Sequence, residues 1–312
     1  MPYYPPQKEQ EPRDDAPRGR SLTRRVLLCA CALAVVYGAV RLAGYGLELV
    51  SARRTTQEMR EIAAETEAPA GEARASEATP VTEAEKTPEA APVAEARGEA
   101  APGTEGGEQA GKLPAVEYPN GYDLVPRIQK LRKKSQYVIG WLTMDDLDEP
   151  VVQKDNVFFL NHDAAGRRNS NGAIFMDETT GLLTRPYTVF LYGHNMKTGA
   201  MFGNLRKYED YAYCFRHRKI KFDTLYEEGQ YLIFAVETIS LTPGKSRYVN
   251  LAALESTDRE TRRKALKALK NGSVHDLLTD VDEEDQVLLL VTCVGDDDER
   301  LLVAARRTRE GE

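Results

Sequence analysis

Cysteine is scarce. The chain has 312 residues and four cysteines, Cys29, Cys31, Cys214 and Cys293, with no CxxC and no Cys/His grouping at zinc spacing. A structural metal site is not expected, and no cofactor is implied. A long basic patch is also missing, which argues against nucleic acid as a partner. Aromatic residues are absent from positions 46–117. The net charge of −7 is unevenly spread: residues 56–113 hold thirteen Asp/Glu against five Lys/Arg, a net of −8, which leaves +1 for the rest. The acidity belongs to one segment and says nothing about the partners of a folded part.

That segment lies within residues 48–113, rich in Ala, Glu, Pro, Thr and Gly. It cannot bury enough apolar surface to offset the entropy of ordering. It reads as a disordered, self-repelling tether with a reach on the order of 40 Å. Its opening, "TTQEMREIAAETEA", is compatible with a few further turns of helix.

Ahead of the tether, residues 26–40 are uncharged, Arg41 interrupts, and residues 42–47 are uncharged again. As a helix, 26–47 covers roughly 30 Å, about one hydrocarbon core. Arg41 lies near the distal end, where its side chain can snorkel to the headgroups. Arg18, Arg20, Arg24 and Arg25 precede the run, so residues 1–25 are expected to stay cytoplasmic and the C-terminal portion to be exported. Two rivals compete with this uncleaved signal anchor. A cleaved signal peptide has a shorter apolar core. A lipidated Cys31 has only five apolar residues directly before it, too few for a signal core. The expected layout is a cytoplasmic tail at 1–25, a transmembrane anchor at 26–47, a tether at 48–113 and an extracellular domain at 114–312.

The last region can form one domain with a sizeable core. "DLVPRIQKLRKKS" predicts a helix or two, broken near Pro126. "YVIGWLTM", "VVQKDN", "GAIFMD", "YTVFLYGHN", "KFDTL", "QYLIFAVETISL", "QVLLLVTC" and "RLLVAARR" read as strands bounded by Gly, Pro, Asn and Asp. A short helix is expected between Arg206 and Arg218. Residues 256–272 predict another, with Thr257 and Glu260 as a capping box, Ala265, Leu266 and Leu269 on one face, and Asn271-Gly272 at its end. Many short strands and few helices predict a mainly β fold, a closed barrel with helical insertions.

Cys293 ends an apolar strand, where a side chain can emerge at a barrel rim. Three roles stay open on the residues alone: a disulfide with Cys214, which an exported domain permits; an inert core thiol; or a nucleophile. A nucleophile needs a base and a group to steady the oxyanion. Of the four histidines, His217 lies among basic residues and reads as a solvated surface group. His275 follows a helix cap, and His162 suits a structural hydrogen bond. His194 ends the strand "YTVFLYGHN", with Gly193 allowing a sharp exit.

The segments "IGWLTMDDLDEPVVQ", "FFLNHDAAGRRNSNGAIFMD", "VFLYGHNMKTGAMFGNLRKY" and "LLLVTC…RLLVAAR" resemble, in order, those of the sortases, membrane-anchored cysteine transpeptidases of Gram-positive bacteria. The likeness covers about residues 120–309. The helix before the Cys strand is similar to the insertion typical of class B. The resemblance implies a closed sortase-type barrel of about eight strands with N-terminal helix or helices. It implies a catalytic His194, Cys293 and Arg300, with substrate contacts at Tyr192, Asn195, Val291 and Thr292. It implies cleavage of a C-terminal sorting signal, of LPxTG or NPxTN type, through a thioacyl intermediate. The partners are then secreted proteins bearing that signal, an amine acceptor on a peptidoglycan precursor or a pilin, and the membrane through one N-terminal helix.

Two features depart from the pattern. Class B members commonly carry Ser two positions before the Cys, where this chain has Val291. The Cys-to-Arg loop, with Asp296, Asp297, Asp298 and Glu299, is short and acidic. It reads as a solvated hairpin, as an attractor for a cationic acceptor, or as a weak calcium site. Outside the family, a non-catalytic tethered surface domain and a cell-wall cysteine peptidase remain as alternatives.

Overall fold

A strand that is apolar at every position must be covered on both faces. "VLLLVTC" is such a strand as far as Val291, and the computed structural model shows how it is covered. The structure describes residues 19–67, 111–293 and 298–312. They fall in two units, divided between Ser51 and Ala52. Within the first, the helix α1 (Gly19–Glu67) begins. The span Leu33–Thr66 of this helix is long and apolar enough to cross a membrane.

In the second unit, eight strands close a mixed barrel. They are β1 (Val138–Met144), β2 (Leu147–Val152), β3 (Ile174–Met176), β4 (Thr188–Tyr192), β5 (Lys219–Thr224), β6 (Gln230–Ser240), β7 (Val287–Cys293) and β8 (Glu299–Arg307), joined as β1-β2-β3-β4-β7-β8-β6-β5. The β2–β3 and β4–β7 pairs are parallel. On β7, Leu288 and Leu290 join the interior core with Val189, Leu191, Leu301 and Val303. Its alternate residues Val287, Leu289 and Val291 pack outside with Leu266 and Leu269. Those two leucines belong to α4 (Arg259–Gly272), the insertion between β6 and β7. Burying each contributes about 2 kcal/mol.

The capping box expected at Thr257 and Glu260 is not the one used. Asp258 caps α4, its carboxylate accepting from Thr261 N at 2.8 Å. Aspartate is among the strongest N-caps, and its short acid side chain sits one residue nearer the first turn than the threonine hydroxyl. Pro126 opens α2 (Pro126–Lys134) instead of breaking it, as suits a residue whose missing N–H is an orphan there anyway. A third short helix, α3 (Tyr211–Arg216), lies between β4 and β5.

The opposite outer face of the barrel is covered by α2 and by the last turns of α1. Met59 and Ala63 are buried with Ile128, Leu131, Trp141 and Phe159. Polar contacts hold the same turns: Thr55 donates to Asp163, Thr56 donates to Glu149 at 2.8 Å, and Arg60 Nε donates to the Asp148 carbonyl at 2.7 Å. Residues 52–67 are thus an ordered helix against the barrel, although composition assigns them to the tether. Residues 68–110 of the expected tether, and residues 1–18 of the expected cytoplasmic tail, lie outside the described residues.

Candidate active site

Strand register brings together three residues far apart in sequence. In the parallel β4–β7 pair, Tyr192 sits beside Val291. The chain keeps this line beyond the end of β4: Gly193 N donates to the Val291 carbonyl at 3.3 Å, and Thr292 Oγ1 donates to the Gly193 carbonyl at 2.7 Å. His194 is the next residue, level with Cys293. In the antiparallel β7–β8 pair, Cys293 lies directly opposite Arg300. His194, Cys293 and Arg300 therefore form one row across three neighbouring chain segments at a barrel rim.

Gly193 is required there by space. A Cβ would come within 2.8 Å of the Phe202 ring. His194 Nε2 lies 2.7 Å from the Leu160 carbonyl. A carbonyl only accepts, so Nε2 carries the proton of the neutral ring and Nδ1 is left for proton exchange. Room for this ring comes from Gly172, at φ +65°, where a Cβ would meet the Phe159 carbonyl at 2.4 Å and His194 Cδ2 at 3.1 Å. Neither the Leu160 carbonyl nor Gly172 stood out in the sequence. The only signal was a glycine just ahead of a short apolar strand.

A cavity of about 250 Å³ is lined by His194, Arg300, Tyr192, Val291, Thr292 and Leu160, among others. Tyr192, Val291 and Thr292 are thus brought together, while Asn195 is not among the lining residues and instead bridges Met201. The Tyr192 hydroxyl hydrogen-bonds Asp177, and burial, followed by that carboxylate, holds the phenol above its usual range. Burial pushes the Asp177 carboxyl up, but hydrogen bonds from Thr179, Asn156 and Tyr192 outweigh it and leave it lowered. Arg300 Nη1 donates to the Glu299 carbonyl at 2.9 Å.

The other histidines are occupied elsewhere. His162 stacks on Phe158 at 3.9 Å, and His275 Nε2 meets the Tyr208 carbonyl at 2.8 Å. His217, expected to be solvated, pairs through Nδ1 with Asp145 at 2.8 Å. Cys214 is a free, fully buried thiol in the barrel core, which rules out a disulfide to Cys293. Burial pushes its pKa up to about 11, so it is inert as a nucleophile. Of the acidic loop, residues 294–297 lie outside the described residues. Asp298 accepts from Thr242 Oγ1 and pairs with Lys245. Among the described residues, no group of three His, Cys, Asp or Glu side chains is placed to hold a metal ion.

Comparison with known proteins identifies the family of this barrel. A family model for the sortase domain matches residues 143–308. Sortase B of Listeria monocytogenes is 32% identical over 171 residues, 53% of this chain and 66% of that protein. Sortase B of Staphylococcus aureus is 27% identical over 187 residues, 58% of this chain and 74% of that one. The crystal structure of a sortase B-like protein from Bacillus anthracis superimposes with a TM-score of 0.53 at 30% identity, covering 63% of this chain and 90% of that one.

Proposed function

Because the chain belongs to the sortase family of cysteine transpeptidases and is class B-like, we propose that it cleaves a C-terminal sorting signal and joins the released acyl end to an amine. The observation that carries this is the row of His194, Cys293 and Arg300 at one rim. The Cys293 thiol gives its proton to His194 Nδ1, the resulting thiolate attacks the scissile carbonyl, and Arg300 donates hydrogen bonds to the oxyanion or to the substrate beside it. As the C–N bond breaks, His194 protonates the leaving amine. The thioester that remains is attacked by the acceptor amine. His194 takes the proton of that amine, the C–S bond breaks, and the thiolate is restored.

The substrate is a secreted protein with an LPxTG- or NPxTN-like signal, and the acceptor is an amine on a peptidoglycan precursor or a pilin. Residues 26–47 anchor the chain in the membrane, with residues 1–25 cytoplasmic and the catalytic domain outside. The long apolar stretch of α1 supports this arrangement.

The test is a screen of the purified chain against sorting-signal peptides, with and without candidate amines. Cys293→Ala is expected to abolish both peptide cleavage and thioacyl trapping, and retention of either activity would refute the mechanism. A methanethiosulfonate reagent separates this reading from a structural Cys293, which should resist modification. A hydrolysis product that added amine never diverts would favour a peptidase.

A further inference from the structure

The catalytic cavity is not the largest on the domain. A second one, of about 880 Å³, is formed by residues 113–122, residues 179–188, Glu255 and Thr257. That volume lies in the range of sites that enclose a small ligand or a few peptide residues. Three tyrosines build it by pinning the two chain segments together. The Tyr118 hydroxyl donates to the Leu182 carbonyl at 2.9 Å, Tyr122 to that of Leu183 at 2.6 Å, and Tyr187 to that of Pro114 at 2.7 Å.

A single carboxylate joins the two cavities. Asp177 Oδ2 accepts from Asn156, which lines the catalytic cavity, at 3.1 Å. Asp177 Oδ1 accepts from Thr179 N, on the edge of the second cavity, at 2.8 Å. Tyr192 bonds the same group. On β4 Tyr192 precedes His194 by two positions, roughly 7 Å along an extended chain. Asp177 thus links the edge of the second cavity to Tyr192, two positions before His194.

The charge of the second cavity indicates what it accepts. Its arginine, Arg185, is already bound by Glu227 through Nε at 3.0 Å to each carboxylate oxygen. Glu117 and Glu255 also line the cavity, and neither is in an ion pair among the described residues. Burial and the neighbouring Asp177 raise the pKa of Glu255, the state of a carboxylate short of a counter-ion. The donor motif is uncharged at its Leu or Asn, Pro and Thr positions, whereas the acceptor brings an ammonium group. We infer that this second cavity holds the amine-bearing peptide acceptor, with Glu255 and Asp177 drawing the ammonium group toward His194. The inference rests on the transpeptidase reading above.

The experiment uses the full chain in detergent, one sorting-signal peptide as donor, and a short peptide with a free primary amine as acceptor. The N-acetyl form of that acceptor is the control. Thioacyl formation and amine-independent hydrolysis report the donor half-reaction, and the amine-dependent product reports the acceptor half. Glu255→Gln is expected to raise the half-saturating amine concentration roughly three- to fivefold, and Glu255→Lys roughly tenfold or more. Tyr122→Ala should act in the same direction, with hydrolysis and thioacyl formation unchanged in all three. Unaltered amine saturation in these variants overturns the assignment, and so does a fall in hydrolysis that matches the fall in aminolysis. A parent chain that never acylates overturns the transpeptidase reading itself, and this one with it.

Discussion

The Glu237 carboxylate lies against Gly272, the last residue of α4, so closely that a Cβ there would meet Glu237 Oε1 at 2.1 Å. The side chain is 8% exposed and its Oε2 has no hydrogen-bond partner. Burial pushes its pKa from 4.5 up to about 7, and the carbonyl end of a helix disfavours an anion in the same sense. The folded state therefore binds this proton more tightly than the unfolded one. The stability it contributes is complete below pH 4.5 and is lost as pH rises through about 7. Glu237→Gln should raise unfolding stability at pH 8 by about 3 kcal/mol and change little at pH 4. Denaturant midpoints at the two pH values check this, and equal shifts at both would remove Glu237 as the titrating group.

What the sequence made legible follows from how each element is buried. β7 is apolar from Val287 to Val291 because both of its faces are covered, so its run was visible without any partner in view. The row of His194, Cys293 and Arg300 was visible only through family likeness, since the parallel β4–β7 register that creates it has no local signature. That the turns at 52–67 dock on the barrel was not legible. Their Ala/Glu composition suits a helix or a disordered tether equally, and the choice is made by Asp163 and Glu149, which they meet about 100 positions further along the chain. The capping residue of α4 was missed because Thr257 and Asp258 both make good caps. The link through Asp177 was hidden because its partners Asn156, Thr179 and Tyr192 come from three different segments.

Arg262 tests how α4 is held. It is fully buried and makes no ion pair with a carboxylate among the described residues. Its guanidinium donates instead to the carbonyls of Tyr187 at 3.0 Å, Glu283 at 2.9 Å, Asp285 at 2.8 Å and Leu254, and to Thr188 Oγ1 at 2.6 Å. Arg262→Leu leaves these buried acceptors unpaired and should cost about 3–5 kcal/mol. Thermal unfolding measures the loss, and amide exchange should quicken in α4 more than in β1 and β2. A melting temperature within a degree of the parent would contradict this account of Arg262.

Asp298 ties the segment after β6 to the start of β8. Its side chain meets Thr242 and Lys245, and its carbonyl accepts from Leu241 N at 3.3 Å. Leu241 lines the catalytic cavity, so the tie should set the shape of one wall. The ion pair is solvent-exposed and worth little to stability. Asp298→Ala is therefore expected to leave the melting temperature nearly unchanged while raising KM for the donor peptide a few-fold at constant kcat. Lys245→Ala should do the same, and the double variant should add nothing further. A fall in kcat at constant KM would instead point to Arg300, two residues along on β8, as the affected group.

Val291 is where this chain departs from the serine common in class B. It is 2% exposed, pairs with Tyr192 on one side and Leu302 on the other, and lines the catalytic cavity. Val291→Ser removes buried methyl surface and places a hydroxyl among Phe190, Leu289 and Leu302, at a cost of about 1–2 kcal/mol in stability. Its effect on recognition is separable from that cost. An apolar wall favours an apolar substrate side chain, whereas a hydroxyl adds a donor and an acceptor at the same spot. A library of sorting-signal peptides varied at each motif position should show kcat/KM for apolar residues falling up to about tenfold at one position, with polar residues gaining there. If the two proteins rank the library identically, Val291 contributes packing alone, and the specificity of the cavity must come from Tyr192 and the Leu241 wall.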